Sequence, residues 1–310
     1  MNLKKAASLV VALTLSVTGL AACNRDGGTA EGGQTIHLLV STLSNPFFVQ
    51  LRDGAQKEAD ALGVKLQIVD AQDDAATQTN QLNDALTTGA SAVIVNPVDS
   101  DAVVQGVTAL LDKDIPVIAV DRGVTDVDVT SYVSSDNSQG GELAAQALAA
   151  AISETGDVVV LQGVAGSSAS RDRGAGFDEG IAAFADIKVA AKQTANFSRA
   201  EGLDVATNLM QANSGVVGIF AENDEMALGA VEALGARVGK DVFVVGFDGT
   251  EEGLKAVADG TMVATIAQQP EELGKLAVQQ AKKALDDEEV TAVVPVEVVA
   301  VTKDNVADFQ

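Results

Sequence analysis

The amino-acid sequence predicts an α/β fold of parallel sheets divided between two lobes, and three observations carry that prediction. Val, Ile and Leu runs alternate with Ala-rich stretches of helical spacing. The apolar runs repeatedly stop at polar residues, as VIVN does at Asn96, VIAVDR at Asp121 and Arg122, IFAEND at Asn223 and VVGFD at Asp248. The 310 residues, 47% of them hydrophobic, supply enough material for two cores. Continuous apolar runs suit strands buried on both faces, as in parallel sheets. Polar residues at the carboxyl ends of such strands gather along one sheet edge, where open α/β sheets bind ligands.

In chain order, strands are predicted at 35 to 41 (TIHLLVS), 64 to 70 (VKLQIVD), 92 to 96 (AVIVN), 116 to 121 (PVIAVD) and 129 to 135 (VTSYVSS). Further strands fall at 157 to 163, 187 to 193, 215 to 221, 241 to 248, 261 to 268 and 293 to 301. Helices are predicted between them at 47 to 62, 75 to 88, 100 to 112, 138 to 152, 170 to 185, 199 to 212, 224 to 236 and 270 to 286. Gly63 ends the first helix, Ser100 precedes the third, and Pro270 stands in the first turn of the last. So many parallel strands would make one very wide sheet, so the length argues for two lobes of five or six strands each. No Pro/Gly/Ser-rich linker separates them, which predicts a chain that crosses between lobes more than once and makes a hinge. Beyond the βα alternation there is no short repeat.

Acidic residues number 44 against 20 basic, a formal charge of −24, so nucleic acid is excluded as a partner by repulsion. One His (His37) and one Cys (Cys23) rule out a Cys/His metal cluster, and no metal is expected. His37 lies within the first predicted strand and reads as a packed imidazole. At the start of the chain, Lys4 and Lys5, the apolar stretch from Ala6 to Leu20, and Ala21 and Ala22 before Cys23 form an export signal. LAAC resembles a bacterial lipobox, so residues 1–23 are read as a lipoprotein signal peptide with Cys23 lipidated; the alternative is a plain signal peptide ending near a cysteine. Residues 24–33 (NRDGGTAEGG) read as a flexible tether. The expected location is therefore outside the cytoplasm, in the periplasm or at the cell surface, touching the membrane only through the lipid.

Two adjacent aromatics, Phe47 and Phe48, open a helix after Asn45 and Pro46 in a chain with only 3% aromatic residues. Neighbouring helix residues point about 100° apart, so one ring is expected in the core and the other at the cleft, with Phe48 the candidate for the cleft. Phe197 follows a strand on the corresponding edge of the other lobe. Two aromatic faces from opposite lobes suit a flat, partly apolar ligand. Asp121, Arg122, Arg173, Asn223, Asp248 and Gln268 complete the set, and Arg171 opens the same helix as Arg173. Asp and Asn at these points also serve as helix caps, whereas arginines and a glutamine gain nothing from capping. Carboxylates accept, guanidinium groups donate in a fork and amides do both, which suits a ring of hydroxyls and hence a sugar. Catalysis is not expected: Arg122 and Arg173 should hold Asp121 and Asp248 ionised, whereas a general acid needs a raised pKa. GxxxxGK[ST] is absent, GVAGSSASRDRGAGF does not match GxGxxG, and no cofactor is expected. Asp73/Asp74 and Glu251/Glu252 read as solvated surface.

The segments STLSNPFFV, NPVDSDAV, IPVIAVDR, SSDN, RDRGAGF, AENDEMALGA, VVGFDGT and ATIAQQP closely resemble, in order, those of bacterial ribose-binding proteins, from about residue 35 to 301. These are the periplasmic sugar-binding components of ABC importers in the type I periplasmic binding protein family. The resemblance implies two Rossmann-like lobes joined by a three-crossover hinge: residues 34–135 plus 269–297, and residues 136–268 plus 298–310. It implies sugar contacts from Asn45, Phe47, Phe48, Asp121, Arg122, Arg173, Phe197, Asn223, Asp248 and Gln268, with D-ribose the expected monosaccharide. An ABC permease is the implied partner, a chemoreceptor a further one, and the protein is expected to be a monomer. Other sugars, such as allose or galactose, and a sugar-sensing role are the alternatives; a repressor effector core is a remote one, lacking a helix-turn-helix before residue 34. Ser44, where the family often has Asn, and Glu222, in place of a neutral amide, depart from the pattern.

Overall fold

Residues 34–310 are described by the computed structural model; the predicted leader, Cys23 and the tether lie outside the described residues. Strand β1 (Thr35–Val40), helix α1 (Pro46–Leu62), β2 (Lys65–Asp70), α2 (Ala75–Thr88), β3 (Ala92–Val95), α3 (Val104–Leu111), β4 (Val117–Val120) and β5 (Ser131–Ser135) come first. There follow α4 (Asn137–Ala151), β6 (Gly156–Gln162), α5 (Ser168–Ile181), β7 (Ile187–Thr194), α6 (Arg199–Ala212), β8 (Val216–Ala221) and α7 (Asp224–Leu234). The remainder is β9 (Phe243–Asp248), α8 (Glu251–Asp259), β10 (Ala264–Ala267), α9 (Pro270–Leu285), β11 (Val293–Val296) and β12 (Val299–Thr302).

These strands form two six-stranded sheets, ordered β11-β5-β4-β3-β1-β2 and β12-β10-β9-β8-β6-β7. The chain passes from the first sheet to the second after β5, returns after β10, and leaves again between β11 and β12. Every strand pair is parallel except β10 with β12. The single strand expected at 293 to 301 is thus two strands, one closing the edge of each sheet. Pro295 is tolerated in β11 because an edge strand need not donate on both sides.

Each sheet is covered on both faces. In β1, Ile36, Leu38 and Val40 pack with Leu51 of α1 and Leu273 of α9, while Leu39 packs with Leu82 of α2 and Leu110 of α3. In β6, Val158 and Val160 join Leu148 and Phe177 of α4 and α5, and Val159 and Leu161 face Leu209, Met226 and Leu254 from α6, α7 and α8. This burial on both sides explains why the strands read as unbroken apolar runs. Helix α8 was not anticipated, and its EEGL start proves to be a first turn capped by Thr250 rather than loop. The third helix is shorter than expected and lacks a side-chain cap. Among the described residues no helix is long and apolar enough to cross a membrane.

Asn45, Asp74, Asp136, Ser167, Ser198, Asn223 and Thr250 each accept a backbone N–H in the first turn of a helix. Such caps contribute about 1 kcal/mol each and fix the strand-to-helix turns from which the candidate site is built. Helices α4 and α5 approach closely enough that a β-carbon at Gly141 would lie 2.2 Å from the Arg173 carbonyl oxygen and one at Gly176 2.0 Å from that of Ser138. That contact seats Arg173 at the junction of the two sheets.

Candidate functional site

The carboxyl ends of β4 and β9 face each other, and each delivers a carboxylate on a strained backbone. Asp121 has φ of 64° and Asp248 φ of 120°, conformations that cost roughly 1–3 kcal/mol and persist only where the surroundings impose them. Asn96, at the end of β3, donates from Nδ2 to Asp121 Oδ2 at 3.0 Å. Gln268, after β10, donates from Nε2 to Asp248 Oδ1 at 2.8 Å. The Arg122 Nε lies 3.6 Å from Asp121 Oδ2, and Arg173 Nη1 3.5 Å from Asp248 Oδ1. All four of these charged side chains are buried.

Arg173 is tied on every side. Its Nε donates to Asn137 Oδ1 at 2.8 Å, its Nη1 to the Glu222 carbonyl oxygen at 2.7 Å, and its Cζ lies 3.8 Å from the Phe247 ring centroid. Arg122 is looser: its Nη1 donates to the Pro97 carbonyl oxygen at 3.0 Å, and its Nε has no hydrogen-bond partner. Its Cζ lies 5.2 Å from the Phe48 centroid and 5.3 Å from that of Phe197, so the guanidinium links aromatic residues from both lobes. Phe47 and Phe48 meet edge to face at 5.1 Å, and both are buried at the site. This corrects the expectation of one core ring and one cleft ring: the first turn of α1 lies where the lobes meet, so both sides of it are covered.

Asn45 and Asn223 are helix caps as well as site residues. Asn45 Oδ1 accepts from Phe47 N–H, and Asn223 Oδ1 accepts from Met226 N–H while its Nδ2 donates to the Phe197 carbonyl oxygen at 3.2 Å. One inner chamber is lined by Asn45, Phe47, Phe48, Asp121, Arg122, Arg173, Phe197, Asn223 and Asp248, with Ala169. The structure thus gathers nine of the ten predicted residues in one wall, and Gln268 reaches it through Asp248. Arg171 stands apart, donating to the Gly166 carbonyl oxygen at 3.2 Å. Ala169, Asn137 and Asp224 were not singled out from the sequence; Asn137 lies inside the quoted SSDN, and Ala169 offers no chemistry to notice.

The chamber's free volume is about 10 Å³, room for roughly one water. Outside it a vestibule of about 630 Å³ shares Asn45, Phe48, Arg122 and Phe197 and is bordered by Ser44, Asp73 and Arg199. Asp121 Oδ1, like Arg122 Nε, has no hydrogen-bond partner in the protein. A buried unpaired polar group costs about 1–3 kcal/mol, so a ligand that pairs both gains that difference.

Burial pushes the Asp121 carboxyl up, against the pull of Arg122 and Arg173, and raises that of Asp248 well above its ordinary range, against Arg173. Burial raises Glu222 to about 7 despite its bond to Gly163 N–H, and Asp224 to about 6 despite bonds from Thr265 and Thr250. The arginines therefore do not hold the site carboxylates in their ordinary range, contrary to the sequence-based expectation. Desolvation outweighs them because both carboxylates are enclosed. His37 is buried in β1, its pKa lowered by burial and by Lys65. Among the described residues no group of His, Cys, Asp and Glu is arranged to hold a metal ion.

A family model described as a periplasmic binding protein domain matches residues 36–289. The ribose import binding protein RbsB of Escherichia coli is 46% identical over 303 residues, covering 98% of this chain and 100% of that protein. Its Bacillus subtilis namesake is 42% identical over 296 residues, covering 93% and 95%. Among solved structures, an ABC transporter periplasmic solute binding protein from Actinobacillus succinogenes with bound D-allose is 33% identical, with a TM-score of 0.83 and coverage of 88% of this chain and 99% of that one. The Caulobacter myo-inositol binding protein bound to myo-inositol is also 33% identical, with a TM-score of 0.85 and coverage of 89% and 95%. These proteins bind solutes rather than catalyse reactions. With two sheets of this topology and a family match across most of its length, the chain belongs to the periplasmic binding protein family.

Proposed function

We propose that this protein is the extracytoplasmic sugar-binding component of an ABC importer and that its ligand is D-ribose, held between lobes formed by residues 34–135 plus 269–297 and 136–268 plus 298–310. The observation that carries the reading is the chamber wall: acceptors from Asp121 and Asp248, donors from Arg122 and Arg173, and amides from Asn45 and Asn223 beside aromatic rings. A sugar hydroxyl donates and accepts at once, and this set meets both needs. The relatives named for ribose import support the pentose. Sugar enters through the vestibule, displaces the Arg122 guanidinium from its place beside Phe48 and Phe197, and takes up the orphan Asp121 Oδ1 and Arg122 Nε. Contacts to both lobes then favour the closed form over the open one, and closure presents the loaded protein to the permease.

Calorimetric titration against D-ribose, D-allose, D-galactose, D-arabinose and myo-inositol tests this. Saturable heat with D-ribose at a micromolar or tighter constant, about −8 kcal/mol or below, is expected. Saturable heat only with a hexose or an inositol removes the ribose assignment and leaves the binding role. We further propose, from LAAC, that Cys23 carries the lipid that anchors the protein. Mass spectrometry of the mature amino terminus checks it, and an unmodified terminus downstream of Cys23 removes the anchor.

A further inference from the structure

We propose that Ser100 and Ser168, with Gly166 between them, form a latch that joins the two lobes outside the ligand chamber and sets the strength of ligand retention without contributing to the choice of ligand. Ser100 precedes α3 on the side of the first sheet, whereas Gly166 lies in the turn that leads from β6 into α5 and Ser168 opens α5, on the side of the second. Ser100 N–H donates to the Gly166 carbonyl oxygen at 2.9 Å. Ser168 N–H donates to Ser100 Oγ at 3.3 Å, and Gly123 N–H, just beyond β4, donates to Ser168 Oγ at 2.8 Å. Three hydrogen bonds thus cross from lobe to lobe through residues that do not line the chamber.

Gly166 is required by this contact and by nothing in its own backbone, since its φ is not positive. A β-carbon there would lie 2.1 Å from Asp99 Oδ2 and 2.5 Å from Asp99 Cγ. Asp99 cannot swing aside freely, because its Oδ1 already accepts from Asp101 N–H and Ala102 N–H, both at 2.8 Å. The clash exists only while the lobes are together, so any side chain at Gly166 penalises the closed arrangement and spares the open one. A ligand's apparent affinity includes the free energy of closing. The latch therefore adds the same increment for every sugar that the chamber accepts, whichever hydroxyls that sugar presents.

The chain supplies its own reporter. It has no Trp and a single Tyr, Tyr132, whose hydroxyl lies 3.5 Å from the Asp121 carbonyl oxygen and whose ring faces Gly123, where a β-carbon would approach to 3.5 Å. Gly123 N–H is the donor to Ser168 Oγ, so the tyrosine stands immediately behind the contact and its fluorescence reports on it.

The proposal rests on the sugar-binding reading, and the test separates the two. The parent, Ser168→Ala and Gly166→Ala are titrated with D-ribose and D-allose, their dissociation followed by tyrosine fluorescence, and their ligand-free forms compared by thermal unfolding. Ser168→Ala is expected to weaken D-ribose about threefold to tenfold, the worth of the one neutral hydrogen bond from Gly123 N–H that it removes, and Gly166→Ala about tenfold to a hundredfold. Both losses should appear as faster dissociation, with the ribose-to-allose ratio and the ligand-free melting temperature unchanged. Parent-like affinity in both variants, or a changed sugar ratio, overturns the latch and leaves sugar binding intact. If the parent binds no sugar, the sugar reading fails instead, and oxidation of a Ser100→Cys, Ser168→Cys pair decides the latch: slower cross-linking when Gly166→Ala is added supports it, and equal rates overturn it.

Discussion

Each lobe brings one carboxylate and one arginine to the chamber, and the two pairs are held very differently. In the second lobe Arg173 is fixed by Asn137, the Glu222 carbonyl oxygen and the Phe247 ring, and Asp248 is held by Gln268. In the first lobe Arg122 has one hydrogen bond, to the Pro97 carbonyl oxygen, and both its Nε and Asp121 Oδ1 are left without hydrogen-bond partners. The second-lobe pair is the more fully tied, with only its supports Gln268 Oε1 and Glu222 Oε1 lacking hydrogen-bond partners, whereas in the first lobe the charged pair itself has open valences that a hydroxylated ligand completes. Preorganisation on one side lowers the cost of binding, and unsatisfied groups on the other make closure depend on the ligand.

Arg173→Ala should have the largest effect, because the guanidinium belongs to the fold as much as to the site. Its removal strands the Glu222 carbonyl oxygen, Asn137 and buried Asp248, a loss on the order of 3–5 kcal/mol. Binding of D-ribose should weaken by at least about a hundredfold, and the ligand-free melting temperature should fall by about 5–10 °C. Arg122→Ala should cost about thirty- to a hundredfold in affinity, yet lower the ligand-free melting temperature by less than half as much. Differential scanning calorimetry of the two variants without ligand is the direct comparison: equal melting losses would erase the asymmetry between the lobes.

Asn96→Ala probes the hydrogen bond that holds the Asp121 carboxylate from behind. Asn96 spans three groups, accepting from Ser41 N–H at 3.1 Å and donating to the Val120 carbonyl oxygen at 3.3 Å and to Asp121 Oδ2 at 3.0 Å. Releasing Asp121 from a positive-φ position should weaken D-ribose about fivefold to tenfold, as measured by titration, while leaving the second-lobe contacts intact. An unchanged affinity would mean that the strained backbone holds Asp121 without help.

Much of this was legible in the sequence, for reasons that particular residues make plain. VIAV and VVGF announce buried parallel strands because both faces of each sheet are covered, and the polar residues after them mark the binding edge. Other features were hidden because they depend on distances that a linear reading lacks. VVPVEVVAV is continuous as a sequence, and nothing within it signals that Val296 ends one sheet and Val299 begins pairing in the other. Helix α8 has only nine residues with Gly253 inside, so its pattern is short and its propensity weak. Glu251 and Glu252 are exposed, as their charge indicates, and also form the first turn of this helix. Asp224 looks like a first-turn acid, yet it is fully buried, its Oδ2 accepting from Thr250 N–H and its Oδ1 from Thr265 Oγ at 2.7 Å. The rise in the site carboxyl pKa values could not be read either, since adjacent arginines are visible in the sequence and the depth of burial is not.

Glu222 gives the smallest change in affinity and the sharpest test of how finished the second lobe is. Its Oε2 accepts from Gly163 N–H at 2.7 Å and from Ser170 Oγ, while its Oε1 has no partner, so a neutral side chain with one good acceptor suits the place better than a full charge. Arg173 and Lys192 favour the ionised form but do not overcome burial, which raises the group to about 7 from 4.5. The folded protein therefore holds this proton more tightly than the unfolded chain does. The stabilisation is complete below the ordinary glutamate range and is lost as pH rises through about 7, a swing on the order of 3 kcal/mol. Glu222→Gln, which keeps an acceptor and never ionises, should match the parent near pH 5 and melt at a higher temperature near pH 8, with D-ribose affinity within about threefold of the parent because Glu222 touches the chamber only through Arg173. A parent whose melting temperature does not fall relative to Glu222→Gln between those pH values would show that the second lobe tolerates the buried charge, and that its half of the site is less completely settled than its hydrogen bonds imply.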